Sequence, residues 1–126
     1  MRQNVIQNKS FEFAVSIALF CKELVVQREF ELARQLLRAG TSIGANVREA
    51  RNSHSRKEFQ YKLTIALREC DETMFWLELL YACKSLDEPR FSSLLGTAKE
   101  ISNILTRIIK TLRENDKKEA PVKGAQ

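Results

Sequence analysis

Three carboxylates lie close together on one predicted helix: Glu69, Asp71 and Glu72. Of all the residues in the chain, their types and spacing come closest to those of a catalytic or metal-binding site. Paired carboxylates can act as general acid and base. In a helical bundle they can hold two irons when each of two helices supplies Glu-x-x-His. The one histidine of the chain, His54, is outside any such spacing. The sequence also gives no Ser-His-Asp or Cys-His combination for nucleophilic catalysis. We expect no catalytic residues, no metal and no cofactor.

The alternative role of these carboxylates is structural, because a buried carboxylate needs a partner. The sequence predicts that Glu69 and Glu72 pair with groups on the second helix, such as Asn46 or Arg48, within the bundle or across a subunit boundary. Trp76 follows on the same helix. It can stack on a nucleic-acid base, but packing in an interface is the more usual role of tryptophan.

The cysteines indicate a reducing compartment. Cys21, Cys70 and Cys83 are odd in number, form no C-x-x-C pair and lie among apolar residues, which is typical of reduced thiols in the cytoplasm. The apolar run 13–21 is too short to span a bilayer and is followed at once by charged residues. We therefore expect a cytoplasmic protein without membrane contact.

The elements that must position these residues are predicted to be helices. A chain of 126 residues fits one domain, and its 4 Gly and 2 Pro leave little room for turns. Ser55 and Glu58 form a predicted capping box, and Pro89 marks another helix start. Periodicity predicts helices over about 9–27, 30–52, 56–85 and 89–114, within a domain over 1–114, followed by a flexible tail over 115–126. Short connections favour an all-α, antiparallel up-down-up-down four-helix bundle.

Two of these helices are apolar on more than one side. Residues 9–27 have only a narrow polar stripe, and residues 56–85 carry two apolar stripes. One core needs only one apolar face per helix. The patterns therefore predict a subunit interface in addition to the core.

Small residues crowd the segment GTSIGANVREA at 40–50. Gly40 and Gly44 are four residues apart and share one helix face, so another backbone can approach closely there. A phosphate-binding loop would need a Gly-Lys-Ser/Thr ending after a strand, and both are missing. Asn46 and Glu49 lie one turn apart and can bond a neighbouring helix.

Basic and acidic residues are segregated along the chain, whose net charge is +5. Acidic residues concentrate in 63–88, and basic residues in 28–62 and 89–114. The candidate phosphate-binding residues are Arg34, Arg38, Arg48, Lys99, Arg107, Lys110 and Arg113. They form either a nucleic-acid surface or an ordinary solvated face, and the acidic third helix can instead meet a neighbouring subunit's basic helix.

Two motifs carry a family resemblance. The first is Ser-Ile-x-x-Asn-x-x-Glu, at Ser42, Ile43, Asn46 and Glu49, and the second is Glu-x-x-Glu with a nearby aromatic-Leu pair, at Glu69, Glu72, Trp76 and Leu77. Over about 10–112 the chain resembles the bacterial four-helix-bundle family encoded in intervening sequences of 23S ribosomal RNA genes. It departs from the family's frequent Glu-Gly at Ala50, so the turn after the second helix is expected to differ.

The resemblance implies a homopentameric ring. It also implies kinship with the small basic bundles that serve diversity-generating retroelements as accessory proteins, binding a reverse transcriptase and nucleic acid. We therefore expect a non-enzymatic homo-oligomeric accessory protein whose basic surface binds RNA or DNA, alongside a reverse transcriptase. The alternative is an oligomeric protein-interaction scaffold without nucleic-acid binding.

Overall fold

The computed structural model describes residues 2–119, which form four helices and no strand. The helices are α1 (Arg2–Val26), α2 (Phe30–Arg51), α3 (Arg56–Ala82) and α4 (Glu88–Glu119). Each packs against the helices before and after it in the chain, and α1 closes the bundle against α4. Within the described residues no Cα atom of α1 lies within 8 Å of one in α3, nor any of α2 within 8 Å of one in α4, so these are the diagonal pairs. The predicted all-α fold is confirmed.

One apolar core runs between the four helices. Its largest fully buried side chains come from every helix: Ile6, Phe13, Ile17 and Leu24 of α1, Leu36 and Ile43 of α2, Leu63, Leu77 and Leu80 of α3, and Ile101 and Leu105 of α4. They are 3, 4, 7 or 14 residues apart, which places them on one stripe of each helix. Burial of these stripes against one another stabilises the bundle.

Local sequence signals set two helix starts. The Ser55 hydroxyl accepts a hydrogen bond from the Glu58 N–H at 3.0 Å, as the capping box predicts. The Glu58 carboxylate accepts from the His54 N–H at 3.3 Å, one residue before the usual position. The Asp87 carboxylate accepts from the Arg90 N–H at 2.9 Å and caps α4.

The turns after α1 and α3 use left-handed residues that are not glycine. Arg28 has φ 66° and Lys84 has φ 65°. The N–H of the next residue reaches back five positions to a helix carbonyl, at 2.9 Å in both Glu29→Leu24 and Ser85→Leu80. These bonds are the Schellman arrangement that ends a helix. The third helix therefore ends at Ala82, short of the predicted 85.

The outer helix ends extend beyond the predicted ones. α1 begins at Arg2 rather than near residue 9, and α4 continues through 115–119, which the sequence pattern placed in the flexible tail. Proline and glycine are absent from that stretch until Pro121, and Asp116 accepts an ion pair from Arg56 at 3.1 Å. The rest of the predicted tail, 120–126, lies outside the described residues.

The helices of the structure can be compared with the expectation that no segment spans a membrane. None of the helices described over 2–119 is long and apolar enough to cross a bilayer.

Candidate nucleic-acid interface

The seven predicted phosphate-binding residues do not form one surface within a single chain. Three lie on α2 and four on α4, and both sets face away from the core. Because α2 and α4 are a diagonal pair, the two sets lie on opposite sides of the bundle. The single combined surface suggested by the sequence is therefore wrong for one subunit.

The α4 set forms a continuous basic face. The four residues are all exposed, and none has a carboxylate partner among residues 5–118, whose side chains the structure describes: Lys99, Arg107, Lys110 and Arg113. At about 100° per residue they share one sector of the helix. Lys117 falls in the same sector, exposed and unpaired among the described residues, and sequence analysis missed it because it was assigned to the tail. Between Lys99 and Lys117, Glu114 is the one acidic side chain in this sector.

The α2 set is largely engaged in ion pairs. Arg34 donates to Glu31 of its own helix at 2.8 Å. Arg38 bridges the two motif carboxylates of α3, donating to Glu69 at 3.2 Å and also to Glu72. The charge of Arg38 is therefore balanced by Glu69 and Glu72 within the same subunit.

These contacts correct the predicted partners of the carboxylates. The inter-helix pairing was expected, but the partner of Glu69 and Glu72 is Arg38 rather than Asn46 or Arg48. Asn46 Nδ2 instead donates to a carbonyl of its own helix. Both carboxylates pair with an arginine from the adjacent helix. This geometry supports a structural role for Glu69 and Glu72 rather than a catalytic one.

Glu49 forms the other ion pair between α2 and α3 among the described side chains. It accepts a hydrogen bond from Lys62 Nζ at 2.8 Å, which raises the pKa of Lys62. Its neighbour Ala50, where the family often has glycine, is buried within α2. The helix thus continues through this position and ends at Arg51.

The small residues of α2 face α1. An added Cβ on Gly40 would lie 2.8 Å from Ile17 Cγ2, and one on Gly44 would lie 3.2 Å from the Ser10 carbonyl oxygen. Ser42 donates its hydroxyl to the Arg38 carbonyl at 2.6 Å. The predicted close approach of another backbone is confirmed, and the partner is α1.

Trp76 packs against the core and meets Phe75 edge-on, with ring centroids 5.0 Å apart. Its indole Nε1 is buried and has no hydrogen-bond partner among the side chains described over residues 5–118. The ring is therefore not a free platform for a base. Phe75, beside it, is 56% exposed.

Two cysteine thiols are buried and hydrogen-bonded across helices. Cys21 donates to the Ala33 carbonyl at 3.4 Å and Cys70 to the Ala98 carbonyl at 3.1 Å. Burial raises the pKa of Cys21 to about 11 and that of Cys70 to about 12. Cys83 is exposed.

Apolar side chains remain exposed on two opposite sides of the bundle. On one side a groove of about 440 Å³ runs between α1 and α2, and its lining includes Ala18, Val25, Phe30 and Leu37, with Lys22 and Arg34 among the charged residues. On the other side Phe75 projects from α3 between exposed Asp71 and Glu78, four residues before it and three after. Sequence analysis predicted this two-sided character for α1 and α3.

Comparison with known proteins gives one family and one close structure. Residues 2–107 match the model of the 23S rRNA-intervening sequence protein family. The fold is similar to a crystal structure of a protein of unknown function from the S23 ribosomal protein family of Bacteroides thetaiotaomicron. The two share 47% identity and a TM-score of 0.86, covering 87% of this chain and 99% of that one. No curated protein matches the chain. The match over residues 2–107 shows that the chain belongs to the 23S rRNA-intervening sequence protein family.

Proposed function

We propose that the protein is a non-enzymatic, homo-oligomeric, cytoplasmic accessory protein that binds RNA or DNA through the exposed face of α4. The single observation that supports this is the run of unpaired basic side chains on that face over the described residues: Lys99, Arg107, Lys110, Arg113 and Lys117. The partner enzyme implied by the family resemblance is a reverse transcriptase.

The geometry of α4 suits a phosphate backbone. At 1.5 Å per residue the basic face extends about 27 Å, from Lys99 to Lys117. Cations spread over that length can neutralise several phosphates of one strand and release their counterions. A ring of five copies, each with net charge +5, would strengthen the field that attracts a polyanion.

The oligomer we propose is the five-membered ring that the resemblance implies, built from the two apolar sides. Phe75 of one copy would enter the α1–α2 groove of the next, with Asp71 and Glu78 facing Lys22 and Arg34 there. The levels match through the contacts of α2, where Gly40 lies against Ile17 of α1 and Arg38 reaches Glu69 and Glu72 of α3. Because α1 and α3 run in the same direction, Phe75, which follows Glu72, lies level with the part of α1 after Ile17 that lines the groove. A contact between two different patches joins subunits head to tail, which generates rings when the rotation closes.

The nucleic-acid role is tested with Arg107→Glu combined with Lys110→Glu. We expect the slope of log Kd against log salt for a mixed RNA to fall by about 1.4–1.8, the contribution of two phosphate contacts. The matched control is Arg28→Glu with Lys84→Glu, which changes the net charge equally at the turns at the other end of the bundle. Equal losses in both double variants would refute a site on α4, since the effect would then follow net charge alone.

The ring is tested by replacing Phe75. We expect Phe75→Lys to reduce the mass in light scattering to that of a monomer, because it places a cation in an apolar groove flanked by Lys22 and Arg34. Tyr61→Lys is the control: Tyr61 is also exposed on the outer face of α3, but near the other end. An unchanged mass for Phe75→Lys would exclude this contact.

A second candidate function is an interaction scaffold without nucleic-acid binding. The observation that favours it is the same apolar groove between α1 and α2. An oligomer that binds no polynucleotide even at low salt would support the scaffold and contradict the first proposal.

A further inference from the structure

A second groove lies between α1 and α2, toward the end where α2 stops. Its volume is about 430 Å³, and its lining includes Asn8, Phe11, Gly44, Arg48 and Arg51. This volume falls in the range of about 300–1,000 Å³ typical of small-ligand sites. We propose that this groove binds one unpaired nucleotide, with the base stacked on Phe11 and the phosphate held by Arg48 and Arg51. For a nucleotide within a strand, the inference rests on the proposed nucleic-acid role.

Phe11 supplies the stacking surface. Its side chain is 55% exposed, although a phenylalanine gains free energy by leaving water. The guanidinium of Arg48 lies 5.9 Å from the centre of its ring, at the outer limit of a cation–π contact. A base can displace this weak contact and leave Arg48 available for the phosphate.

The two arginines supply the anion site. Arg48 and Arg51 are three residues apart on α2, both are exposed, and neither pairs with a carboxylate among the described side chains of residues 5–118. The intervening Glu49 is bound to Lys62 of α3. The C-terminal end of α2 opposes an anion with about half a negative charge. Two full positive charges outweigh it.

Small and amide side chains complete the groove. Gly44, Ala14 and Ala45 keep its walls low, and Asn8 and Gln7 line it. An amide offers both donors and an acceptor, as the edge of a base requires. A base in a duplex is stacked on both faces and cannot reach Phe11, so the groove selects unpaired nucleotides.

The test compares adenosine 5′-monophosphate with ribose 5-phosphate by isothermal titration calorimetry at low salt. We expect the nucleotide to bind more tightly. Phe11→Leu should weaken it by about 5-fold or more, the loss expected for one base stack, and leave ribose 5-phosphate unchanged. Arg48→Gln with Arg51→Gln should weaken both ligands. Phe11 is half exposed, so Phe11→Leu is expected to fold, and circular dichroism checks this.

Equal binding of the two ligands to the wild-type protein would overturn the inference, since the groove would then be a simple anion site. Absence of binding by the nucleotide would overturn it too. A second arm compares oligo(A) with a duplex of the same length: a single-strand preference that Phe11→Leu removes assigns the groove to a strand. If the mononucleotide binds but oligo(A) is not preferred over the duplex, the ligand of the groove is a free nucleotide.

The outcome is separable from that of the proposed function. Arg107→Glu with Lys110→Glu should weaken oligo(A) and duplex alike and leave adenosine 5′-monophosphate binding unchanged. If that double variant leaves polynucleotide binding intact, the α4 proposal fails while the mononucleotide result stands.

Discussion

Replacement of Gly40 by alanine tests the close packing of α1 against α2. An added Cβ would lie 2.8 Å from Ile17 Cγ2, 3.0 Å from Cγ1 and 3.2 Å from Cβ. Ile17 is fully buried in the core and has no space to move aside, so α1 and α2 must separate. Such overpacking costs about 1–3 kcal/mol.

The same substitution also gains stability, because alanine is more favourable than glycine inside a helix by about 1 kcal/mol. The sum for Gly40→Ala is a loss of about 0–2 kcal/mol. Gly96 provides the control, since it lies inside α4 with nothing within 4 Å of an added Cβ. Gly96→Ala should therefore show the gain alone, about 1 kcal/mol.

Urea unfolding followed by circular dichroism, at one fixed protein concentration because oligomers couple stability to concentration, measures both variants. Gly40→Ala should unfold at lower urea than the wild type, and Gly96→Ala at higher urea. If Gly40→Ala stabilises the protein as much as Gly96→Ala, the helices do not approach as closely as described and the reasoning is refuted.

Four other predictions concern the thiols, a turn and a helix cap. Iodoacetamide at pH 8 should modify Cys83 in the folded protein and reach Cys21 and Cys70 only in denaturant; three adducts by mass spectrometry without denaturant would contradict their burial. The pKa of Cys21 rises from 9.0 to about 11 on folding, so the folded state keeps a proton that the unfolded state loses. Urea midpoints should therefore fall as pH rises from about 9 to 11, less steeply in Cys21→Ala. Lys84→Gly should stabilise the folded protein by about 1 kcal/mol, because glycine adopts the left-handed conformation without the strain of a Cβ. An unchanged urea midpoint would argue against a left-handed residue at this turn. Ser55→Ala should cost about 1 kcal/mol through the lost cap, and a neutral result would argue against the hydrogen bond to Glu58.

Local signals predicted the helices because each depends on a few neighbouring residues. Ser55 and Asp87 start helices through side-chain bonds to N–H groups three residues on. The turns at Arg28 and Lys84 were not visible, because the sequence offers no glycine at the left-handed positions. The end of α4 was misplaced because 115–119 lacks apolar residues, although it also lacks a helix breaker.

The site residues were predicted less well because their contacts depend on the relation between helices. Periodicity indicates the direction of Arg38 and Arg48 around α2 but not which α3 residue lies at the same level. The short turn between α2 and α3 supplied that information: residues equally far from the ends of the two helices lie side by side, and Glu69 is as far from Arg56 as Arg38 is from Arg51. The order of helices around the bundle likewise separates the basic faces of α2 and α4.

The central claim, a homo-oligomer that binds nucleic acid through its charge, is tested most directly by light scattering of the purified protein alone and with a mixed RNA at low and high salt. We expect a mass near five subunits, with RNA bound at low salt and released at high salt. A monomer that takes up no RNA at either salt concentration would contradict it.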